Sequence, residues 1–333
     1  MNSNSDAALV GDDIRYFSLA RHALVEALRM LGMSEGQKVL VPAFICRDLL
    51  ASVHAVKAVP LFYPVDQSLA PESLPEDVNI RAVLAVNYFG FPQNLSPFRA
   101  YCSAHGAALI EDNAHGFLSC DERGISLGRR GDFGIVSIRK TFALPDGDAL
   151  MVNRKEWLDR IPAQLACRKD RLPPSYSVKN IFRQIQNSTG IRIRSSSEQA
   201  IRYLRRIRTG HSLPLSRPES EHELPGTPAI HCESLRMLSR IDASGEVLRR
   251  RALYERFQRE LSSFGVEPVF GDLPKGVSPY GYPFRATDAG AAAAISLTRR
   301  SGFDCFSWPD LPSAVSQHAP EFYRNVWWVN FLC

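Results

Sequence analysis

The sequence predicts an α/β fold, a mostly parallel sheet covered by helices in a large domain, followed by a smaller α+β C-terminal domain. Three observations lead there. Short apolar runs recur along the first half of the chain, segments with helical periodicity separate several of them, and Gly or Pro punctuates the junctions. Strands that alternate with helices imply parallel pairing with helices on both faces.

The elements follow in order. Residues 1–14 are polar and read as an arm. From Phe17 to Met33 apolar residues recur at helical spacing, with Ala20, Leu24, Leu28 and Leu31 on one face. VLVPAF (39–44) reads as a buried strand, residues 49–56 as a helix and VPLFYPV (59–65) as a strand. IRAVLAVNYFG (80–90) is a strand closing in a Gly turn. LSPFRAYCSAHG (95–106) is a helix ended by Gly106, and AALIED (107–112) a strand that ends in two carboxylates. FGIVSIRK (133–140) is a strand running into a lysine, and ALMVN (149–153) is another strand. Residues 154–225 are richer in Arg, Ser and Pro. Beyond them a long helix is expected over 233–263, then strands at 266–270 and 280–286 and a helix at 289–298. The organisation expected is an arm (1–14), a large domain (15–225) and a small domain (226–333). The closing run NVWWVNFLC is apolar, which suggests a C-terminus that is cut short or closes against another part of the fold.

Composition narrows the function. The chain has 333 residues, 45% hydrophobic and 23% charged, which suits a globular protein with a sizeable core. Its net charge of +5, from 40 basic and 35 acidic residues, suits an anionic small molecule but is too small to argue for nucleic acid. Seven scattered cysteines with no CxxC pair argue against a disulfide framework and a zinc or other metal site, and so favour a reducing cytoplasm. No signal peptide and no apolar run long enough to span a bilayer are found. The Arg run (Arg192, Arg194, Arg202, Arg205, Arg206, Arg208) reads first as a solvated face with Ile201, Leu204 and Ile207 packed inward. Binding a nucleotide-sugar diphosphate is its second reading.

Ligands of parallel sheets sit beyond the carboxyl ends of the strands, where Asp112 and Lys140 both fall. Pyridoxal 5′-phosphate (PLP) needs a lysine to form an imine, a carboxylate to keep its ring nitrogen protonated, donors for its phosphate and a group beside its phenolic oxygen. Asp112 lies between apolar AALI and AHGF, and a buried lone carboxylate needs a cation such as a pyridinium. Lys140 follows an apolar strand 28 residues later. Ser137, three positions before it, could reach the phosphate, and the turn PDGD (145–148) lets the chain pass close to the cofactor. Taken singly, Lys140 could be a surface lysine, Asp112 a helix cap and His115 a core histidine.

These blocks resemble the DegT/DnrJ/EryC1/StrS family of sugar aminotransferases. The resemblance rests on VLVPAFICRDLLASVHAVKAVPLFYPVD, NYFGFPQNLSPFRAYCSAHGAALIEDNAHGF, GDFGIVSIRKTFALPDGDALMVN and SGFDCFSWPDLP. It implies a PLP-transferase fold of type I with a seven-stranded sheet, and a homodimer with sites at its interface. It implies Lys140 as the Schiff-base lysine, Asp112 as the aspartate on the ring nitrogen and His115 beside the phenolic oxygen. The implied activity moves an amino group from glutamate or glutamine to a keto sugar nucleotide, for surface polysaccharide or secondary-metabolite synthesis. Two alternatives are another fold-type I activity, such as a lyase or desulfurase, and a non-catalytic PLP-binding sensor or partner protein.

The chain departs from that family in several places. Where the first helix usually begins with Ser-Gly-Thr, this sequence reads FSLARHAL, so the amides of Ala20, Arg21 and His22 and the Arg21 charge are the phosphate donors expected there. The usual serine five before the lysine is Ile135, leaving Ser137 for the phosphate. The usual Gly-Gly after the lysine is Gly147-Asp148. The ring-stacking aromatic falls near Cys46, and Phe44 is expected to stack in its place. No match is found to the asparagine that reaches into a neighbouring subunit.

Overall fold

The computed structural model describes residues 11–77, 79–172, 176 and 217–332. The predicted Arg run and most of the predicted arm lie outside the described residues. Among the described residues no helix is long and apolar enough to cross a membrane.

The first half folds as β1 (Ile14–Phe17), α1 (Ala20–Met30), β2 (Lys38–Pro42), α2 (Leu50–His54), β3 (Val59–Tyr63), β4 (Ile80–Val86), α3 (Ser96–His105), β5 (Ala108–Asn113), β6 (Phe133–Ser137) and β7 (Asp148–Val152). These strands form one seven-stranded sheet of order β1-β7-β6-β5-β4-β2-β3. Pairing is parallel from β3 through β6, and β7 runs antiparallel to both of its neighbours. β5, β6 and β7 are buried along their whole length, as expected of strands covered on both faces. That burial explains why they read as continuous apolar runs.

Local chemistry sets the helix ends. α3 carries Pro97 in its first turn and stops at Gly106, whose φ of 62° is the left-handed conformation that glycine adopts without strain. α1 has no side-chain cap of its own at Leu19. Its first amide, Ala20 N–H, instead donates to Asp148 Oδ2 at 2.5 Å, so a carboxylate from β7 caps the helix from across the sheet.

The second half contains α4 (Cys232–Leu238), α5 (Ala243–Leu261), β8 (Glu267–Pro268), β9 (Gly281–Arg285), α6 (Asp288–Arg300), β10 (Asp304–Ser307), α7 (Ser313–Ser316), α8 (Glu321–Arg324) and β11 (Val326–Asn330). An antiparallel sheet of order β10-β11-β9-β8 packs against α5 through Tyr254, Phe257 and Leu261, all fully buried. The apolar closing run is β11, an inner strand of this sheet, and Phe331 after it is also fully buried. Ile230 and Leu238 pack with β6 and β7 residues on the first sheet.

Several expectations need correction. β1, β10 and β11 were not foreseen, since runs of four or five residues carry too little periodicity. The single long helix is two, α4 and α5, separated where Asp242 turns its carboxylate onto Gly245 N–H and caps a new start. The strand at 266–270 shrinks to two residues. Cys167 and Cys232 form a disulfide with Cα atoms 5.0 Å apart, against the expectation of none, so cysteine spacing no longer supports a reducing compartment.

Candidate active site

A cavity of about 180 Å³ opens at the carboxyl ends of β4, β5 and β6 and at the N-terminus of α1. Asp112, His115, Ser137, Lys140, Ala20 and Arg21, six of the eight residues singled out from the sequence, line it. The other two do not. His22 lies on another face of α1 and its Nε2 sits 3.1 Å from the Pro225 carbonyl. Phe44 is fully buried beneath the floor, its ring against Tyr88, Trp308 and Tyr323 at 5.0–5.7 Å, while Ile45 and Cys46 reach the cavity. The turn after β2 therefore sends Phe44 into the core and the next two residues to the site.

The two carboxylates that end β5 part company because successive side chains of a strand point to opposite faces. Asp112 faces the cavity and its Oδ1 accepts the Ala114 N–H at 2.9 Å. Burial pushes the Asp112 carboxyl upward, against the Ala114 bond and the nearby Lys140. Glu111 turns the other way into a buried pair with Arg130, at 2.5 and 2.8 Å, and accepts from Asn87 Nδ2 at 2.9 Å. Glu111 is therefore structural.

Lys140 follows β6 and its Nζ lies 6.0 Å from the centre of the Tyr280 ring. Burial lowers the proton affinity of its amine, partly offset by Cys46, while Arg139 lowers it further and Asp112 and Asp148 raise it. His115 stacks on Tyr280 at 4.4 Å with planes 9° apart, and Tyr280 stacks on Trp328 at 4.6 Å. The Phe89 N–H points to His115 Nδ1 at 3.4 Å. To do so Phe89 holds a left-handed φ of 53°, a conformation that costs a non-glycine residue about 1–3 kcal/mol. Burial and the Lys140 charge keep the imidazole well below its ordinary proton affinity, so His115 is neutral. Cys46, beside Trp308, has its thiol pushed up to about 11 by burial and is no thiolate nucleophile.

Sequence reasoning missed Trp308, Tyr280, Arg139 and Asp148. Trp308 and Tyr280 come from the second half of the chain, and Trp308 brings its ring within 5.3 Å of His115. Asp148 was noted only as standing where a glycine is usual. Its carboxylate is fully buried and accepts from Ala20 N–H at 2.5 Å, Ser137 Oγ at 2.7 Å and Arg139 Nε at 3.3 Å. No local signal could have found it, since Ser137 and Asp148 become neighbours only when β7 pairs with β6.

A profile of the DegT/DnrJ/EryC1/StrS aminotransferase family matches residues 17–169, the segment that builds the first sheet and supplies Asp112, His115, Lys140 and Asp148. Over those residues the chain is similar to that family. It is 27% identical over 168 residues to the L-glutamine:2-deoxy-scyllo-inosose aminotransferase of Streptomyces kanamyceticus, which covers 46% of this chain and 38% of that protein. It is 30% identical over 148 residues to the GDP-perosamine synthase of Vibrio cholerae, covering 41% of this chain and 39% of that one. The chain thus matches under half the length of these curated relatives. The aminotransferase TlmJ from Streptoalloteichus hindustanus superposes with a TM-score of 0.63 at 21% identity, over 99% of this chain and 83% of that one. The sugar aminotransferase Spr1654 of Streptococcus pneumoniae, solved in its PMP form, superposes with a TM-score of 0.60 at 15% identity, over 95% and 80%. The fold is that of the fold-type I PLP-dependent transferases.

The residues fit PLP at one end only. A carboxylate, an amine of lowered proton affinity and a neutral imidazole suit a pyridine ring. At the phosphate end, the helix amide and the serine hydroxyl are already spent on the Asp148 carboxylate.

Proposed function

We propose that the chain is a PLP-dependent aminotransferase that moves an amino group from glutamate or glutamine to a keto sugar carried on a nucleotide. A single observation carries this reading: Lys140 and Asp112 line one cavity, with His115 between Phe89 and Tyr280 beside them. When bound, the cofactor supplies a pyridinium ring that takes up electrons from a neighbouring carbanion. Asp112 would keep the ring nitrogen protonated, and His115, as a neutral group, would meet the phenolic oxygen. The Lys140 amine, with its proton affinity lowered by burial, suits both attack on an aldehyde carbon and later proton transfer at Nζ. Relatives named for amino transfer to a keto-inositol and for GDP-perosamine synthesis support a sugar acceptor. A homodimer is part of the same proposal.

Borohydride reduction of the protein incubated with PLP tests it. Mass spectrometry is expected to find the reduced adduct on Lys140 and none in Lys140→Ala. In a separate, unreduced sample, incubation with glutamate or glutamine should convert the parent's absorbance to that of the amine form of the cofactor. An adduct elsewhere, or none, sinks the proposal. The Asp148 carboxylate in the phosphate position favours one second reading, a non-catalytic PLP-binding sensor or partner protein. That reading predicts an adduct on Lys140 with no conversion by any amino donor.

A further inference from the structure

The phosphate end of the cavity already holds an anion. Three donors converge on the Asp148 carboxylate: the first amide of α1, the Ser137 hydroxyl and the Arg139 guanidinium. A phosphate at a helix N-terminus uses the same donor types. The charge balance is closed as well. Arg139 pairs with Asp148 at 3.3 Å, and Arg21, the other cation lining this end, sits 3.5 Å from Asp48, which also lines the cavity. Two cations meet two carboxylates before any ligand arrives. Burial raises the Asp148 carboxyl, while Arg139, Ser137 and the Ala20 amide draw it back toward the ionised form. The side chain cannot swing away cheaply, because it is fully buried and its backbone is held in β7 between Phe17 and Ser137.

We infer that Asp148 is a built-in substitute for the cofactor's phosphate, so that this chain binds a pyridoxal-class ring through Lys140 and Asp112 without the affinity a 5′-phosphate normally adds. The inference rests on the reading of Lys140 and Asp112 as the ring-binding pair, and it makes Asp148 the residue that decides which form of the ring is taken. Binding joins Lys140 Nζ to the aldehyde carbon and releases one water, and this step is the same with or without a phosphate on the ring. A phosphorylated ring must share or displace a carboxylate. An unphosphorylated ring meets a cup that is already satisfied.

The test titrates the full chain and Asp148→Gly with PLP and with pyridoxal, following tryptophan fluorescence and confirming the site by borohydride reduction and mass spectrometry. In the parent the two dissociation constants are expected to lie within about threefold of each other. Asp148→Gly removes the resident anion and frees its three donors, so PLP is expected to bind roughly 100-fold tighter while pyridoxal binding stays unchanged. Inorganic phosphate should raise the melting temperature of Asp148→Gly and leave that of the parent where it is. Asp148→Asn keeps the shape without the charge and guards against a folding defect, with an expected gain of about tenfold for PLP. A parent that binds PLP 100-fold tighter than pyridoxal, with no gain in either variant, overturns the role of Asp148 and leaves the Lys140 site standing. Failure of either ring to label Lys140 in any of the proteins overturns both.

Discussion

Arg250 ties the two halves of the active site together, and replacing it with methionine should unfold that link. Its side chain is only 1% exposed although it carries a full charge. From α5 it donates to the Pro279 and Tyr280 carbonyls at 3.2 and 2.9 Å, to the Thr141 carbonyl at 3.0 Å and to Glu246 at 2.6 Å. Thr141 follows Lys140 directly, and Tyr280 is the ring on which His115 stacks. One guanidinium thus sets the distance between the lysine loop and the histidine's platform. Burial lowers its proton affinity and Glu246 opposes that effect, so the group stays charged. Hydrogen bonds from a charged donor contribute roughly 1.5–3 kcal/mol each. Three carbonyls would lose such a partner, but methionine restores apolar packing and removes the desolvation penalty of the guanidinium. The net loss for breaking a buried charge network is therefore set at about 3–5 kcal/mol. For a chain of this size, with a urea slope of about 3 kcal/mol/M or more, the unfolding midpoint should fall by roughly 1 M. Urea titration followed by tryptophan fluorescence reads the transition, since Trp308 and Trp328 both lie in the affected cluster. A variant within about 1 kcal/mol of the parent would refute the claim that Arg250 holds these segments together.

Three further outcomes are expected. His115 is held neutral, with a folded-state pKa well below the ordinary 6.5, so the unfolded chain takes up its proton first as pH falls. Stability from this residue is full above about pH 6.5 and declines below it, by up to about 1.4 kcal/mol per pH unit. His115→Gln should remove that slope, and equal proton uptake on unfolding in both proteins would contradict it. Glu111→Gln should destabilise the chain by about 3 kcal/mol, because Arg130 keeps its buried charge and loses its carboxylate, while borohydride labelling of Lys140 stays unchanged. Loss of labelling in a folded Glu111→Gln protein would show that Glu111 belongs to the site. The Cys167–Cys232 bond closes a separation of 65 residues, so the double serine variant should lose up to about 4 kcal/mol, and reductant should lower the parent's melting temperature but not the variant's.

The sequence by itself determined six of the seven strands of the first sheet and the positions of its chemistry. Apolar runs located β2 to β7, most plainly β5 to β7, because strands buried on both faces must be apolar throughout. The ends of those runs put Asp112, Ser137 and Lys140 where parallel sheets bind ligands. Tertiary structure decided what periodicity cannot encode. It turned Asp112 rather than Glu111 toward the cavity, joined Cys167 to Cys232, and laid Trp308 and Tyr280 over His115 from more than 160 residues away. It also made Asp148 the partner of Ala20 and Ser137, a contact between three segments that becomes close only when β7 enters the sheet antiparallel between β1 and β6. Local pattern reports what each segment must bury, while the identity of the atoms that meet across segments depends on how the sheet is ordered.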